Sequence, residues 1–597
     1  MNIMTNNIKL PKQTRLCEDI NVMVAGQGGD GSLTIIALLS HALRQRGLEL
    51  YQTSNIASRI KGGHAAAILR ASKTQHGGIG DNLDVLVAFD EEAIINAGPS
   101  MSPDGIVIYD ISRGPLPEGC LGPDVLVLPV PFSRFAVRDL RRDLFKNGFG
   151  FGLVARVLGI EDSEAEDCMR KRFKKLSKAA LEANLHALNL GFGIADEFGI
   201  KHGDNLIELA DAEKSERLSI SGNQATALGF LAAGGRFFAG YPITPATEIM
   251  DTLSRHASKI GCVVIQAEDE LSAVNQAIGA SLTGARAMTA SSSPGIALMQ
   301  ESISHCGSAE IPLVIVNCQR AGPSTGMPTK TEQSDIGMMT QGGSGDFPCV
   351  VLYPGDANEC FTIAALATNI SQIAQCPVYI ALDRSLAQNT ATVAPFDLES
   401  VKLDKGKLLD EATLKTLDTY KRYAITDDGI SPWALPGTPE GMNLVTGNER
   451  NEWGQVSTEP ENRIAMMDKR ARKINAIRDL LPGGVEHGDP RAEIGLLGTG
   501  METGVMGEAW ARLEEQGVKT RCHRPRTLSP VLDDTLDFIN QCSRIYIIEH
   551  SESGQLERLL KGAGCPAEKL RGIRKYDGLP FSPGELTDLI LTREAQG

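Results

Sequence analysis

Glu270, Thr244 and Arg320 are the residues on which chemistry would turn. Glu270 closes the run Glu268 to Glu270 and opens a helix rich in small residues, Leu271 to Leu282. A carboxylate there commonly just offsets the helix dipole; held partly buried, it can exchange a proton with a heterocycle. Thr244 stands between Pro242 and Pro245, whose rings fix φ and restrict the residues before them. The turn is rigid, so a hydroxyl and a backbone N–H are offered at a set point, although a Pro-capped helix start explains the same residues. Arg320 follows an apolar run, where a guanidinium suits bidentate recognition of a carboxylate. A solvated loop would also carry it.

Strand ends are what would bring these residues together. Phe237 to Ala239, Cys262 to Ile265 and Ile311 to Val316 are apolar runs that each stop abruptly at polar, Gly and Pro residues. Buried parallel strands deliver side chains in this way to their carboxyl ends, where open α/β sheets bind ligands. The runs Gly240 to Thr247, Glu268 to Glu270 and Asn317 to Gly326 should therefore converge on one crevice.

A second glycine-rich feature lies near the start. The strand Asn21 to Ala25, the run Gly26 to Gly31 (Gly-Gln-Gly-Gly-Asp-Gly) and the helix Ser32 to Arg46 match the dinucleotide fingerprint in form. The acidic residue expected at the end of the next strand is missing, since Leu48 to Ser54 finishes in Tyr, Gln, Thr and Ser. A phosphate-bearing ligand over the loop and a purely structural tight turn both remain open. The same holds for Ser58 to His64, where Gly62 and Gly63 allow close backbone approach and Arg59, Lys61 and His64 would favour an anion.

With 597 residues the chain exceeds a single core. Its pattern predicts α/β architecture with mainly parallel sheets in three domains: an α/β domain over 1–210, the domain of the central strand ends over 218–400, and a compact β-α repeat over 489–597. A polar stretch, 401–488, joins the last two and reads as an excursion laid over the surface or a subunit interface. The net charge of -15 argues against nucleic acid and anionic membranes. No apolar run reaches the length of a membrane span, and the expectation is a cytoplasmic protein. Twelve cysteines include no pair within four residues of each other, so they read as free thiols, and an iron–sulfur centre would sit on another chain.

Three groups of residues together resemble the α subunit of 2-oxoacid:ferredoxin oxidoreductases. They are Tyr241 to Pro245, the Glu270 helix ending in Gly279 to Gly284, and Arg320 with Gly322 to Thr329. Thr331 to Asp335 and Asp428 to Pro432 look most like the 2-oxoglutarate type. The Gly26 to Gly29 region with Gly62 and Gly63 is similar to the family's γ subunit, fused here in front. Ile547 to Glu549 and Gly554 to Leu556 resemble its transketolase C-terminal-like domain.

The resemblance implies thiamine diphosphate-dependent oxidative decarboxylation, in which 2-oxoglutarate, coenzyme A and oxidised ferredoxin become succinyl-CoA, carbon dioxide and reduced ferredoxin. It places Glu270 on the aminopyrimidine ring, Tyr241, Pro242 and Ile243 beside the cofactor, and Thr244 and Arg320 on the substrate carboxylate or carbonyl. Ser324, Thr325 and Lys330 are candidates for a distal carboxylate. Gly26, Gly28, Gly29, Arg59, Gly62 and Gly63 are candidates for a coenzyme A site. A β subunit would bring the cofactor's diphosphate, its Mg2+ and a [4Fe-4S] cluster, in an (αβ)2 heterotetramer, and this chain would hold no metal. Pyruvate or another 2-oxoacid is the nearest alternative substrate. From another class, the chain would be a nucleotide-responsive binding protein built on the Gly26–Gly31 loop.

Overall fold

A computed structural model describes residues 9–56, 63–210 and 212–596. The chain forms two compact units, Met1–Ser219 with Asn389–Pro395, and Ile220–Gln388 with Phe396–Gly597.

The first unit is built on one sheet. Leu126–Val130, Met101–Asp110, Leu83–Ala88 and Asp19–Gln27 lie side by side and parallel. His64–Ser72 and Glu49–Ile56 follow, each antiparallel to its neighbour. This departs from the dinucleotide fingerprint, in which the strands flanking the first helix are parallel neighbours. Here His64–Ser72 is inserted between Asp19–Gln27 and Glu49–Ile56, because it pairs with both over most of its length. Thr390–Val393 then returns to pair antiparallel with Glu49–Ile56. Two helices, Asp162–Arg172 and Lys178–Phe198, pack on this unit. A further helix, Lys146–Val157, is buried along its whole length and carries Gly148, Gly150 and Gly152. They serve close packing: a Cβ on Gly152 would lie 2.6 Å from the carbonyl oxygen of Leu188.

In the second unit a seven-stranded sheet runs Val263–Gln266, Phe237–Gly240, Ala287–Ser291, Leu313–Gln319, Pro377–Asp383, Val350–Leu352, Thr527–Ser529, with only the last antiparallel. The order reverses at Phe237–Gly240, so a crevice opens between its carboxyl end and that of Ala287–Ser291, as at the switch points of doubly wound sheets. A second sheet, Val485–Gly488, Thr520–Arg524, Ile494–Gly498, Arg544–Glu549, Leu570–Arg574, is parallel except at its first strand. Thr527–Ser529 leaves this C-terminal region to extend the central sheet, which joins the two into one unit.

The stretch 401–488 is more than a surface layer. Tyr423, Ile430, Trp433 and Arg450 within it are buried, and its helix, Pro460–Ala476, sets Lys469 and Lys473 fully inside. Both lysines pair at 2.7 Å with the buried carboxylate of Glu310.

Candidate active site

Four strand ends form the site. Phe237–Gly240 leads into Tyr241 to Pro245, Val263–Gln266 into the Glu270 helix, Ala287–Ser291 into the helix Ser293–Ala309, and Leu313–Gln319 into Arg320. The strand before Arg320 extends three residues beyond the apolar run, so the guanidinium sits directly at its carboxyl end.

Asp269 takes the capping duty at the first helix, accepting the Ser272 N–H at 2.7 Å. Glu270, in the next position, is thereby spared that role. Its residue is only 7% exposed, and its carboxylate lies against Gly295, where a Cβ would stand 2.7 Å from Oε1. The same Cβ would stand 2.0 Å from Ser291 Oγ. Among the described residues the hydroxyls of Ser291 and Ser292 are buried without a hydrogen-bond partner. A buried carboxylate beside two unsatisfied hydroxyls is a polar cradle that a ligand with ring nitrogens can complete.

Arg320 is buried, and its Nη1 donates to the Thr244 carbonyl at 2.7 Å. Thr244 is therefore joined to Arg320 through its backbone carbonyl, while the residue itself is exposed. Burial draws the guanidinium below its ordinary pKa, with Asp335 and Glu270 pulling the other way. Asp335 is also buried, which lifts its carboxyl, while Ser293, Asn317 and Arg320 oppose that rise. Thr244, Glu270 and Arg320 thus share one crevice, accessible at Thr244.

The remaining candidates spread along the rim. Tyr241 is 41% exposed, with Pro242 and Ile243 half-buried behind it. Ser324 and Thr325 are exposed at the tip of a tight loop, Ser324 at φ 56. Lys330 is folded back beside Arg320, its carbonyl accepting the Ala321 N–H at 3.1 Å. Burial and the nearby Arg384 lower the Lys330 ammonium pKa, against Asp577.

The Gly26–Gly31 loop is filled from within. Asp30 Oδ2 accepts the Gln27 N–H at 2.9 Å, and Oδ1 pairs with the buried Lys146 ammonium at 2.6 Å. Gly28 N–H goes to the Gly63 carbonyl at 2.8 Å. Gly26 is needed because a Cβ would meet Phe89 and Asp30, while Gly29 and Gly31 take positive φ. Asp30 thus spends part of the loop's N–H capacity on its own carboxylate. Arg59 and Gly62 lie outside the described residues.

Ser291, Ser292, Ser293 and Gly295 did not stand out by composition, and Asp335 entered only within the Thr331 to Asp335 resemblance. The signal was Ser-Ser-Ser-Pro-Gly (Ser291 to Gly295) closing the short run Ala287 to Ala290, a fourth strand end whose threonine and alanines read as only weakly apolar. All twelve cysteines are free, most of them buried. Among the described residues no helix is long and apolar enough to cross a membrane.

The family model described as Pyruvate flavodoxin/ferredoxin oxidoreductase, thiamine diP-bdg, matches residues 229–469, and that described as Pyruvate ferredoxin/flavodoxin oxidoreductase matches 21–194. The 2-oxoacid:ferredoxin oxidoreductase subunit alpha of Sulfolobus sp is 29% identical over 95% of this chain and 96% of its own length. The 2-oxoglutarate oxidoreductase subunit KorA of Mycobacterium tuberculosis is 31% identical over 74% of this chain and 68% of its own. A solved structure of 2-oxoglutarate:ferredoxin oxidoreductase from Magnetococcus marinus, with 2-oxoglutarate, coenzyme A and succinyl-CoA bound, superposes with TM-score 0.90 at 32% identity, covering 96% of this chain and 99% of that one.

Proposed function

This chain belongs to the 2-oxoacid:ferredoxin oxidoreductase family as an α-type subunit, and we propose that its substrate is 2-oxoglutarate, converted with coenzyme A to succinyl-CoA and carbon dioxide while ferredoxin is reduced. The observation that carries the reading is the buried Glu270 carboxylate, released from capping and sharing a crevice with Arg320.

These residues fit thiamine diphosphate, because Glu270 beside the unsatisfied Ser291 and Ser292 hydroxyls matches the donors of an aminopyrimidine. When bound, that cofactor supplies a nucleophilic carbon and an electron sink. Glu270 holds the proton of the pyrimidine ring nitrogen, and burial keeps water from competing for it. Tyr241, Pro242 and Ile243 wall the ring. Arg320, fixed by the Thr244 carbonyl, orients the 2-oxoacid carboxylate that leaves as carbon dioxide, without gripping it so tightly that departure is penalised. Lys330, with the Ser324 and Thr325 hydroxyls, takes the distal carboxylate. Coenzyme A is the acyl acceptor. Gly26, Gly28, Gly29 and Gly63 contribute to its site through backbone alone, given how much of the loop is already committed. A β subunit carries Mg2+ and the [4Fe-4S] cluster in an (αβ)2 assembly.

The test is turnover of the assembled enzyme on a panel of 2-oxoacids. 2-Oxoglutarate is expected to give the highest kcat/KM; preference for pyruvate overturns the substrate assignment and leaves the family intact. Glu270→Gln in that assembly is expected to abolish exchange of the cofactor's C2 proton with solvent while subunits still associate. Unchanged exchange removes Glu270 from its role.

A further inference from the structure

The run Thr331 to Asp335 has no place yet in the chemistry, and its contacts are unusual for a loop. The Gln333 N–H donates to the His550 carbonyl at 2.7 Å, its side-chain oxygen accepts the His550 N–H at 3.1 Å, and its Nε2 donates to the Thr499 carbonyl at 2.9 Å. Gln333 therefore stitches the central region to the carboxyl ends of two strands of the C-terminal sheet. Beside it runs a buried chain of hydrogen bonds. The Met501 N–H donates to Asp383 Oδ2 at 2.8 Å, and the Tyr353 hydroxyl donates to the same oxygen at 3.1 Å. Gln319 Nε2 donates to Tyr353 Oη at 3.1 Å, and Gln319 Oε1 accepts the Asp335 N–H at 3.0 Å.

Gln319, Gln333, Tyr353 and Asp383 are fully buried. An apolar seam would hold two sheets together at lower cost, so this polar one, in which Gln319, Gln333, Tyr353 and Asp383 are each hydrogen-bonded, is better explained by the geometry it specifies. The C-terminal backbone is shaped for it: Gly500 takes φ 62, and a Cβ there would lie 2.5 Å from Asp383 Oδ2. At the near end, Asp335 Oδ2 accepts Asn317 Nδ2 at 3.0 Å. Asp335 also shares Ser293 with Arg320, whose backbone N–H donates to Ser293 Oγ at 3.5 Å.

We propose that Tyr353 and Asp335 are positioning residues for Arg320. The chain Met501–Asp383–Tyr353–Gln319–Asp335 fixes where the Asp335 carboxylate stands, and through it how the guanidinium meets the 2-oxoacid carboxylate. The C-terminal region thereby tunes substrate grip without touching substrate. This rests on the reading of Arg320 as the carboxylate-holding residue.

The experiment uses the assembled enzyme with Tyr353→Phe, Arg320→Lys and the pair. Tyr353→Phe is expected to raise KM for the 2-oxoacid about three- to tenfold, with kcat within about twofold and KM for coenzyme A unchanged. With Arg320→Lys already present it should add far less, because the grip it tunes is gone. An unchanged 2-oxoacid KM, an equal rise in both KM values, or strictly multiplicative effects overturn the proposal. If Arg320→Lys alone leaves the 2-oxoacid KM untouched, the reading of Arg320 falls as well. Should Tyr353→Phe fail to assemble, Gln319→Met interrupts the same chain one link nearer Arg320 and is held to the same criteria.

Discussion

The arrangement of Glu270 depends on the absence of a single methyl group opposite it. Gly→Ala inside a helix normally stabilises by up to about 1 kcal/mol. At Gly295 the added Cβ would meet both Glu270 Oε1 and Ser291 Oγ. Those groups must give way, and displacement of catalytic groups by about 1 Å can cost on the order of a hundredfold in rate. Gly295→Ala is therefore expected to lower kcat/KM by about ten- to a hundredfold, with no rise in the unfolding midpoint. A more stable, fully active variant would show that the carboxylate does not need its present place. Glu549 carries a separate, pH-dependent prediction. Burial lifts its carboxyl from 4.5 to about 7, against the Leu556 and Glu557 amides that donate to it. A folded pKa above the unfolded one contributes stability that is fully present below about pH 4.5 and lost as the pH rises through about 7, up to about 3 kcal/mol. Glu549→Gln, neutral throughout, should flatten that part of the decline in thermal stability between about pH 5 and about pH 8. An identical slope in both proteins would refute the assignment.

At the scale of elements, the helix Ser293–Ala309 connects the site to the stretch that reads as an excursion. Its first turn holds Ser293 and Gly295; its 17 residues carry the axis about 25 Å away to Glu310. At that end Arg450 and Arg422 donate to the Ser308 and Glu310 carbonyls at 3.0 and 2.7 Å, cations where the helix dipole favours them. Glu310 sits between Lys469 and Lys473, which hold its carboxyl far below the usual range despite complete burial. Removing one member of a buried charge cluster strands the others, at a cost of about 3 to 5 kcal/mol, whereas an exposed pair is worth less than about 1 kcal/mol. Glu310→Gln should therefore shift the denaturant midpoint strongly. Lys415→Met, which breaks the exposed pair with Glu411, should scarcely move it. Equal shifts would mean that the cluster is no anchor. None of this was legible beforehand, because Arg450, Lys469 and Lys473 have the composition of solvated charge and only a distant acidic partner reveals that they are inside. By contrast, Thr244, Glu270 and Arg320 could be found, since each follows an apolar run that breaks into Gly, Pro and charge. The short strands Thr390–Val393 and Thr527–Ser529 were missed, as three or four residues carry no usable period. The partner of Asp30, Lys146, lies 116 residues away, beyond any local signal.

For the whole molecule, the question is what completes a site that this chain leaves open. Tyr241, Leu271 and Leu298, adjacent or near in sequence to Thr244, Glu270 and Gly295, are 41, 46 and 55% exposed. Exposed large apolar side chains next in sequence to a polar cradle are the composition of an interface core with its hot spot inside. Glu270 itself is buried in the separate chain, but the apolar surface beside it stays open, so the cofactor has only one wall to bind against. The chain purified alone should accordingly show no rise in unfolding temperature with thiamine diphosphate and Mg2+, and no 2-oxoacid-dependent release of carbon dioxide. Mixed with its β subunit, it should gain both, because a ligand that binds only the assembled state stabilises that state in proportion to its occupancy. Tyr241→Ser should weaken assembly measurably while leaving the fold of the separate chain unchanged, since that residue is 41% exposed. A cofactor-dependent thermal shift in the chain by itself would mean that the pocket is whole without a partner.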